Sequence, residues 1–163
     1  MIMKKLLLVR HAKSSWEHDL SDINRPLKER GYNDAKAVAN KLLESNFQID
    51  RVLSSDAIRA MTTAEIFVNI LRFAENVVIL NNRLYDFSGE NLIEVIKKCP
   101  KDINTLMIFG HNYALTNFVN RFGSQYINNV PTSGVVVIDF NISDWQQLSK
   151  GETVLTIFPK DLK

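Results

Sequence analysis

Cysteine is nearly absent: Cys99 stands alone. No intrachain disulfide can form, and such usage fits a reducing compartment. Charge of one sign is barely in excess, with 20 Lys and Arg against 18 Asp and Glu and a formal net charge of +2. That balance gives no general attraction for nucleic acid or an anionic membrane surface, so any positive potential must be local. Long apolar runs are also missing. The run near the N-terminus, Leu6–Val9, is shorter than the ~7–15 residues of a signal-peptide core. No segment approaches the roughly 20 apolar residues of a membrane span. A cytoplasmic location is expected. There is no repeat, no low-complexity tract and no linker. Neither G-x-G-x-x-G nor G-x-x-x-x-G-K-[ST] occurs, which counts against a nucleotide-binding domain.

What is present reads as one globular domain, residues 1–163, with a substantial core: 45% of the residues are hydrophobic and 23% charged. Leu6–Val9 suits a strand buried on both faces. Beyond Pro26 the apolar positions Tyr32, Ala35, Val38, Ala39, Leu42 and Leu43 recur at helical steps, up to about Ser45–Asn46. Arg51–Ser54 reads as a second strand. A second helix follows, capped by Ser55 or Asp56, with Ala60, Met61, Ala64, Phe67, Val68 and Leu71 as its buried stripe. Val77–Leu80 is a third strand, and a short helix through Leu92, Val95 and Ile96 stops before Pro100. Thr105–Phe109 is a fourth strand. Asn112 is placed to cap a helix bearing Leu115, Phe118, Val119 and Phe122. Val135–Phe140 and Thr153–Phe158 complete the set. This alternation predicts an α/β fold, a three-layer α/β/α sandwich with a mainly parallel sheet, to which the last two strands add an antiparallel edge.

The chemistry-bearing residues gather at strand exits. Arg10 and His11 follow the first strand, Arg59 opens the helix after the second, and His111 follows the fourth. Open α/β sheets hold their ligands beyond the carboxyl ends of the strands. If the first and fourth strands are neighbours, the two imidazoles face one pocket. Arginine forks and helix-end amides suit a phosphoryl group. A neutral imidazole nitrogen can attack phosphorus in line and form a phosphohistidine. The neighbouring cations should lower the pKa of His11, and the second imidazole, when protonated, can stabilise charge on the transferring oxygens. Taken singly each residue has a plainer role: a strand-end histidine, a surface arginine, a polar cap. Three strand exits carrying matching groups shift the balance toward a site.

The ordered set Arg10-His11-Ala12-Lys13-Ser14, Asn24-Arg25-Pro26-Leu27 with Gly31, Ser54-Ser55 with Arg59-Ala60 and Thr63-Ala64, and Gly110-His111-Asn112 resembles the histidine phosphatase (phosphoglycerate-mutase-like) superfamily. The short chain and RHA-K-S in place of RHG look like its SixA-type phosphohistidine phosphatase branch. The resemblance implies His11 as the phosphorylated nucleophile, with Arg10, Arg59 and His111 around the phosphate and neither metal nor organic cofactor. It implies a histidine-phosphorylated protein or a small phosphorylated compound as partner, and inorganic phosphate as product. Many members place an asparagine where Glu17 stands here, a departure that argues against mutase-like substrates. Lys13 can compensate for the lost donor or be a solvated loop lysine, and Asn112 is a further candidate phosphate ligand. Leu84-Tyr85-Asp86 resembles the Leu-x-Glu pattern of the family's general acid, which makes Asp86 either the proton donor or a turn residue in YDFSG. Only a short loop and a short helix separate the third and fourth strands, so the site is expected to be open and to favour a phosphorylated protein. A phosphomonoesterase and a non-catalytic phosphate-binding module are the rival readings.

Overall fold

Four of six strand segments alternate their side chains between two apolar clusters. This computed structural model describes residues 4–73 and 77–163. The strands are β1 (Lys4–Arg10), β2 (Arg51–Ser54), β3 (Val78–Leu80), β4 (Thr105–Gly110), β5 (Val135–Phe140) and β6 (Glu152–Ile157), and they form one sheet in the order β3-β2-β4-β1-β5-β6. The pairs β1–β4, β2–β4 and β2–β3 are parallel, whereas β5 runs antiparallel to both β1 and β6. The reversed strand is thus one in from the edge, and β6 at the edge again runs with β1.

The helices are α1 (Glu29–Leu43), α2 (Ile58–Leu71), α3 (Glu90–Lys97) and α4 (Ala114–Phe122). Leu7, Val9, Met107 and Phe109 face one way, into a cluster with Ala35, Val38, Ala39, Phe67 and Val68 of α1 and α2. Leu6, Leu8, Leu106 and Ile108 face the other way, against Leu92, Ile96, Leu115 and Phe118 of α3 and α4. Period-two alternation on strands buried from both sides produces the predicted three layers.

Three local expectations shift. Helix α1 starts at Glu29 rather than directly after Pro26, because Leu27 pairs with Ser14 and the Lys28 N–H donates to the Lys13 carbonyl at 3.0 Å. Tyr32 and Leu43 lie outside its buried face, which is made by Gly31, Asp34, Ala35, Val38, Ala39 and Leu42. On α2, Met61 and Leu71 are only partly covered, and Arg59 and Thr63 are buried instead. A Cβ on Gly31 would lie 2.2 Å from the Lys13 carbonyl oxygen. Glycine there lets α1 pass against the segment that leaves the end of β1.

Candidate active site

The register of the sheet builds the site. Arg10 pairs with Gly110 across β1 and β4, so His11 and His111 leave the sheet side by side. The His11 N–H donates to the Gly110 carbonyl at 3.1 Å, and the two imidazole centroids stand 5.2 Å apart. On the far side of β4, Ser54 pairs with Phe109, and the Ser55 N–H donates to the Phe109 carbonyl at 3.0 Å. That exit sends the chain into α2, whose second residue is Arg59. Arg10, His11, Arg59 and His111 therefore come together.

Protonation follows from the hydrogen bonds. His11 Nδ1 is 2.8 Å from the Ala12 carbonyl oxygen. A carbonyl only accepts, so Nδ1 carries the proton and Nε2 keeps a bare lone pair. Burial chiefly, with the charges of His111, Arg59 and Arg10 adding to it against the Ala12 hydrogen bond, holds the pKa of His11 well below its usual value. His111 Nε2 lies 2.8 Å from Ser55 Oγ, which also accepts the Ala57 N–H at 3.1 Å. The Ser55 hydroxyl can donate to His111 Nε2 or accept from it while taking the Ala57 N–H on its other lone pair, and in either case it occupies His111 Nε2 and leaves Nδ1 without a protein partner. Burial first and the Arg59 charge second bring the His111 pKa down to about 3. In the ligand-free protein His111 is consequently neutral, so the charge stabilisation that the sequence reading gave to a protonated second imidazole is not available in that state.

Arg10 Nε, Arg59 Nε and His111 Nδ1 are buried and have no hydrogen-bond partner. Unpaired buried donors are rare and costly. The two arginine donors, with His111 Nδ1 beside them and the bare Nε2 of His11, are chemically suited to an oxyanion. Arg10 is otherwise fixed by Nη1 donating to the Val130 carbonyl at 2.9 Å.

Arg59 is held by a residue to which sequence reasoning gave no role. Its Nη1 donates to the Asp22 carbonyl at 2.6 Å and its Nη2 to Asp22 Oδ2 at 2.9 Å. Oδ2 also accepts from the Tyr85 hydroxyl, and Oδ1 from Arg25 Nε at 3.1 Å. Burial raises the Asp22 carboxyl, but the hydrogen bonds from Tyr85 and Arg59 outweigh it and bring the pKa down to about 2. Arg25 in turn donates to Ser14 Oγ at 2.7 Å and stacks on Trp16 at 3.5 Å. The Asn24-Arg25-Pro26 motif was the available signal: it ties the 16–25 excursion to the site, although no spacing rule names Asp22. Ser133 was also overlooked. Its N–H is shared by the Arg10 and His11 carbonyls, and its φ of 64° lies in the left-handed region.

The other predicted residues are engaged elsewhere. Asp86 Oδ2 accepts the N–H groups of Gly89 and Leu92 at 3.1 and 3.0 Å, and Oδ1 accepts the N–H and hydroxyl of Ser88, both at 3.2 Å. Burial raises its pKa, but these bonds prevail and lower it. An ionised carboxylate tied into the first turn of α3 is a poor proton donor, and this geometry fits the turn-residue alternative. Asn112 Oδ1 accepts from the Thr116 N–H and hydroxyl, and its Nδ2 donates to Asn129. The N-cap of α4 is Tyr113 rather than the expected Asn112, which lies one residue earlier and ties its side chain to Thr116 and Asn129. The Lys13 side chain is exposed. Among the described residues, no three His, Cys, Asp or Glu side chains are grouped to hold a metal ion, and no helix is long and apolar enough to cross a membrane.

The depressed imidazole pKa values make stability depend on pH. Unfolded histidines take up protons below about pH 6.5, while the folded chain keeps His11 and His111 neutral, His111 down to about 3. The unfolded state binds more protons in that window, so stability is complete above pH 6.5 and falls on acidification. Each histidine adds a slope of up to ~1.4 kcal/mol per pH unit. Thermal melts at pH 7, 6 and 5 should show a falling midpoint, less steep in His111→Asn. A midpoint that rose toward pH 5 would contradict the neutral assignment.

A mainly parallel α/β sandwich brings two imidazoles and two arginines together at one edge of its sheet, and comparison with known proteins gives the chain a family. Residues 6–92 match the family model of the histidine phosphatase superfamily (branch 1), and the chain belongs to that superfamily. An uncharacterized chloroplastic protein of Arabidopsis thaliana is 35% identical over 68% of this chain, and the match spans 55% of the plant protein. An uncharacterized protein of Mycobacterium tuberculosis is 28% identical over 92% of this chain and 98% of its own length. Among solved structures, the protein histidine phosphatase SixA in complex with tungstate superposes with a TM-score of 0.79 at 20% identity. That superposition covers 98% of this chain and 99% of the other, so the two share a fold.

Proposed function

We propose that the chain is a metal-independent phosphatase that hydrolyses phosphohistidine on a partner protein through a phospho-His11 intermediate. The observation that carries this reading is the bare Nε2 of His11 set among the buried Nε–H donors of Arg10 and Arg59 and the His111 Nδ1, none of which has a partner. Nε2 attacks phosphorus in line; the new P–N bond forms as the bond to the leaving atom breaks, and the electron pair departs with that atom. Arg10, Arg59 and His111 bind the equatorial oxygens, whose charge spreads in the transition state. Water then attacks phospho-His11, and inorganic phosphate leaves with the imidazole restored.

Two features support a P–N rather than a P–O substrate. Asp86 is not free to protonate a leaving alkoxide, whereas an imidazole leaves without a strong protein acid. Phe87 and Tyr113, 47% and 63% exposed, stand beside the site: Phe87 packs on His111, and a short turn and α3 lie between β3 and β4. Such a mouth admits a side chain presented by a protein. Initial rates on a histidine-phosphorylated protein, p-nitrophenyl phosphate and sugar phosphates test the assignment. The phosphohistidine protein is expected to have the highest kcat/KM by more than tenfold. Preference for the esters would make the chain a phosphomonoesterase, and phosphate binding without release from any substrate would make it a binding module.

A further inference from the structure

The carboxylate of Asp22 holds the arginine that the proposed reaction needs for its phosphoryl oxygens, yet it is itself an anion. A negative charge beside a phosphate site opposes binding of a dianion, so its presence calls for a reason. Orienting Arg59 is one; the free capacity of the carboxylate points to another. Oδ2 has both lone pairs engaged, by Arg59 Nη2 and the Tyr85 hydroxyl. Oδ1 accepts one bond, from Arg25 Nε, so one acceptor position remains. The side chain is 40% exposed, whereas His11 is 7% exposed. Asp22 is therefore at the mouth and His11 at the floor.

In-line displacement fixes where the leaving group goes. With Nε2 attacking from the floor, the leaving atom lies on the opposite side of phosphorus, toward the mouth. Tyr85 places that mouth beside the histidines: its ring is 5.3 Å from His111 and its hydroxyl is bonded to Asp22. A leaving group passing outward meets an ionised carboxylate with an open lone pair. An ester oxygen, which gains negative charge as it departs, is repelled by such a neighbour and receives no proton from it. A phosphorylated imidazole has the opposite requirement. Protonated on its distal nitrogen it is a cation, and it then departs as neutral imidazole.

We infer that Asp22 is the leaving-group residue of this site, accepting a hydrogen bond from the distal N–H of a substrate phosphohistidine and selecting its imidazolium form. The inference rests on the phosphatase reading above and specifies its substrate as a cationic phosphoimidazolium. The step balances: the P–N bond of the substrate breaks with its electron pair passing to the ring, which becomes neutral and keeps its distal proton, hydrogen-bonded to Asp22. The new P–N bond forms at His11. No other reactant is needed. Asp22 also keeps Arg59 in place, so the measurement must separate the two roles.

The test compares Asp22→Asn with wild type on phosphoimidazole, a histidine-phosphorylated protein and p-nitrophenyl phosphate. Asparagine preserves much of the contact to Arg59 but has no charge to match the imidazolium. The ratio of kcat/KM for phosphoimidazole to that for p-nitrophenyl phosphate is expected to fall by roughly tenfold or more. The phosphohistidine protein should follow phosphoimidazole, and Asp22→Glu should recover most of the ratio. Equal losses on all substrates would mean that Asp22 only orients Arg59, and would overturn the inference. A wild-type chain that turned over none of the substrates would instead refute the phosphatase reading, which keeps the two failures distinct. Should Asp22→Asn not fold, wild type alone decides. Its rate enhancement over spontaneous hydrolysis should be at least about tenfold larger for phosphoimidazole than for the N-methylated phosphoimidazolium, which has charge but no N–H to donate. Equal enhancements would overturn the inference as well.

Discussion

Replacing His11 by alanine should abolish turnover on every phosphorylated substrate, with a loss on the order of 10⁴-fold or more in kcat, and leave the fold standing. The loss is that large because Nε2 has no substitute. His111 has its Nε2 engaged by Ser55 Oγ and follows a different strand, so it does not replace the His11 nitrogen in line with phosphorus. The fold survives because His11 sits one residue past the last β1–β4 pair, above the apolar clusters. Its removal deletes the hydrogen bond to the Ala12 carbonyl, worth about 1 kcal/mol. The variant should also lose one proton's share of the acid destabilisation, since a buried neutral imidazole has gone. Rapid-quench trapping of an acid-labile, alkali-stable phosphoryl label gives the direct measurement, with wild type labelled and the variant unlabelled. A label of equal yield in His11→Ala would place the nucleophile elsewhere.

The strands themselves and the meeting of Arg10, His11, Arg59 and His111 were legible because each depends on a local pattern, whereas the adjacency of β1 and β4 entered only as a condition. Four apolar runs end in charged or small residues, and parallel strands bring such ends to one edge. Asp22 was not legible, because its role is fixed by the path of an irregular excursion whose ends are tied at Ser15 to Pro26 and at Lys13 to Lys28. Nothing in the periodicity of residues 16–25 specifies that return. Asp86 shows a choice that the sequence left open between proton donor and turn residue. Its place after Leu84-Tyr85 matched a motif, but the N–H groups of Gly89 and Leu92 at the start of α3 claimed both it and its charge. The neutral state of His111 was hidden for a third reason. Net positive surroundings were readable from Arg10 and Arg59, whereas burial, the larger influence, exists only once α2, α4 and Phe87 close around the ring.

Arg59→Ala is expected to lower kcat/KM by about 10²–10³-fold, with phosphate affinity and rate falling together. The guanidinium is 2% exposed and its Nε has no acceptor in the empty site, so a bound phosphoryl oxygen supplies a contact that the protein leaves unmade. Loss of that contact accounts for part of the effect. The rest comes from Asp22, which without Arg59 keeps only Tyr85 and Arg25 as partners and stands as a poorly compensated anion beside the incoming phosphate. Arg59→Lys should recover the charge but not the two-nitrogen grip on Asp22, and so should remain well below wild type. A double-mutant cycle separates the two contributions. In the Arg59→Ala background, adding Asp22→Asn should strengthen inhibition by inorganic phosphate, because the uncompensated charge is removed and like-charge repulsion with it. Unchanged inhibition by phosphate in Arg59→Ala itself would show that this arginine serves only to hold the 16–25 excursion, and the phosphate would then have to be held by Arg10 and His111 alone.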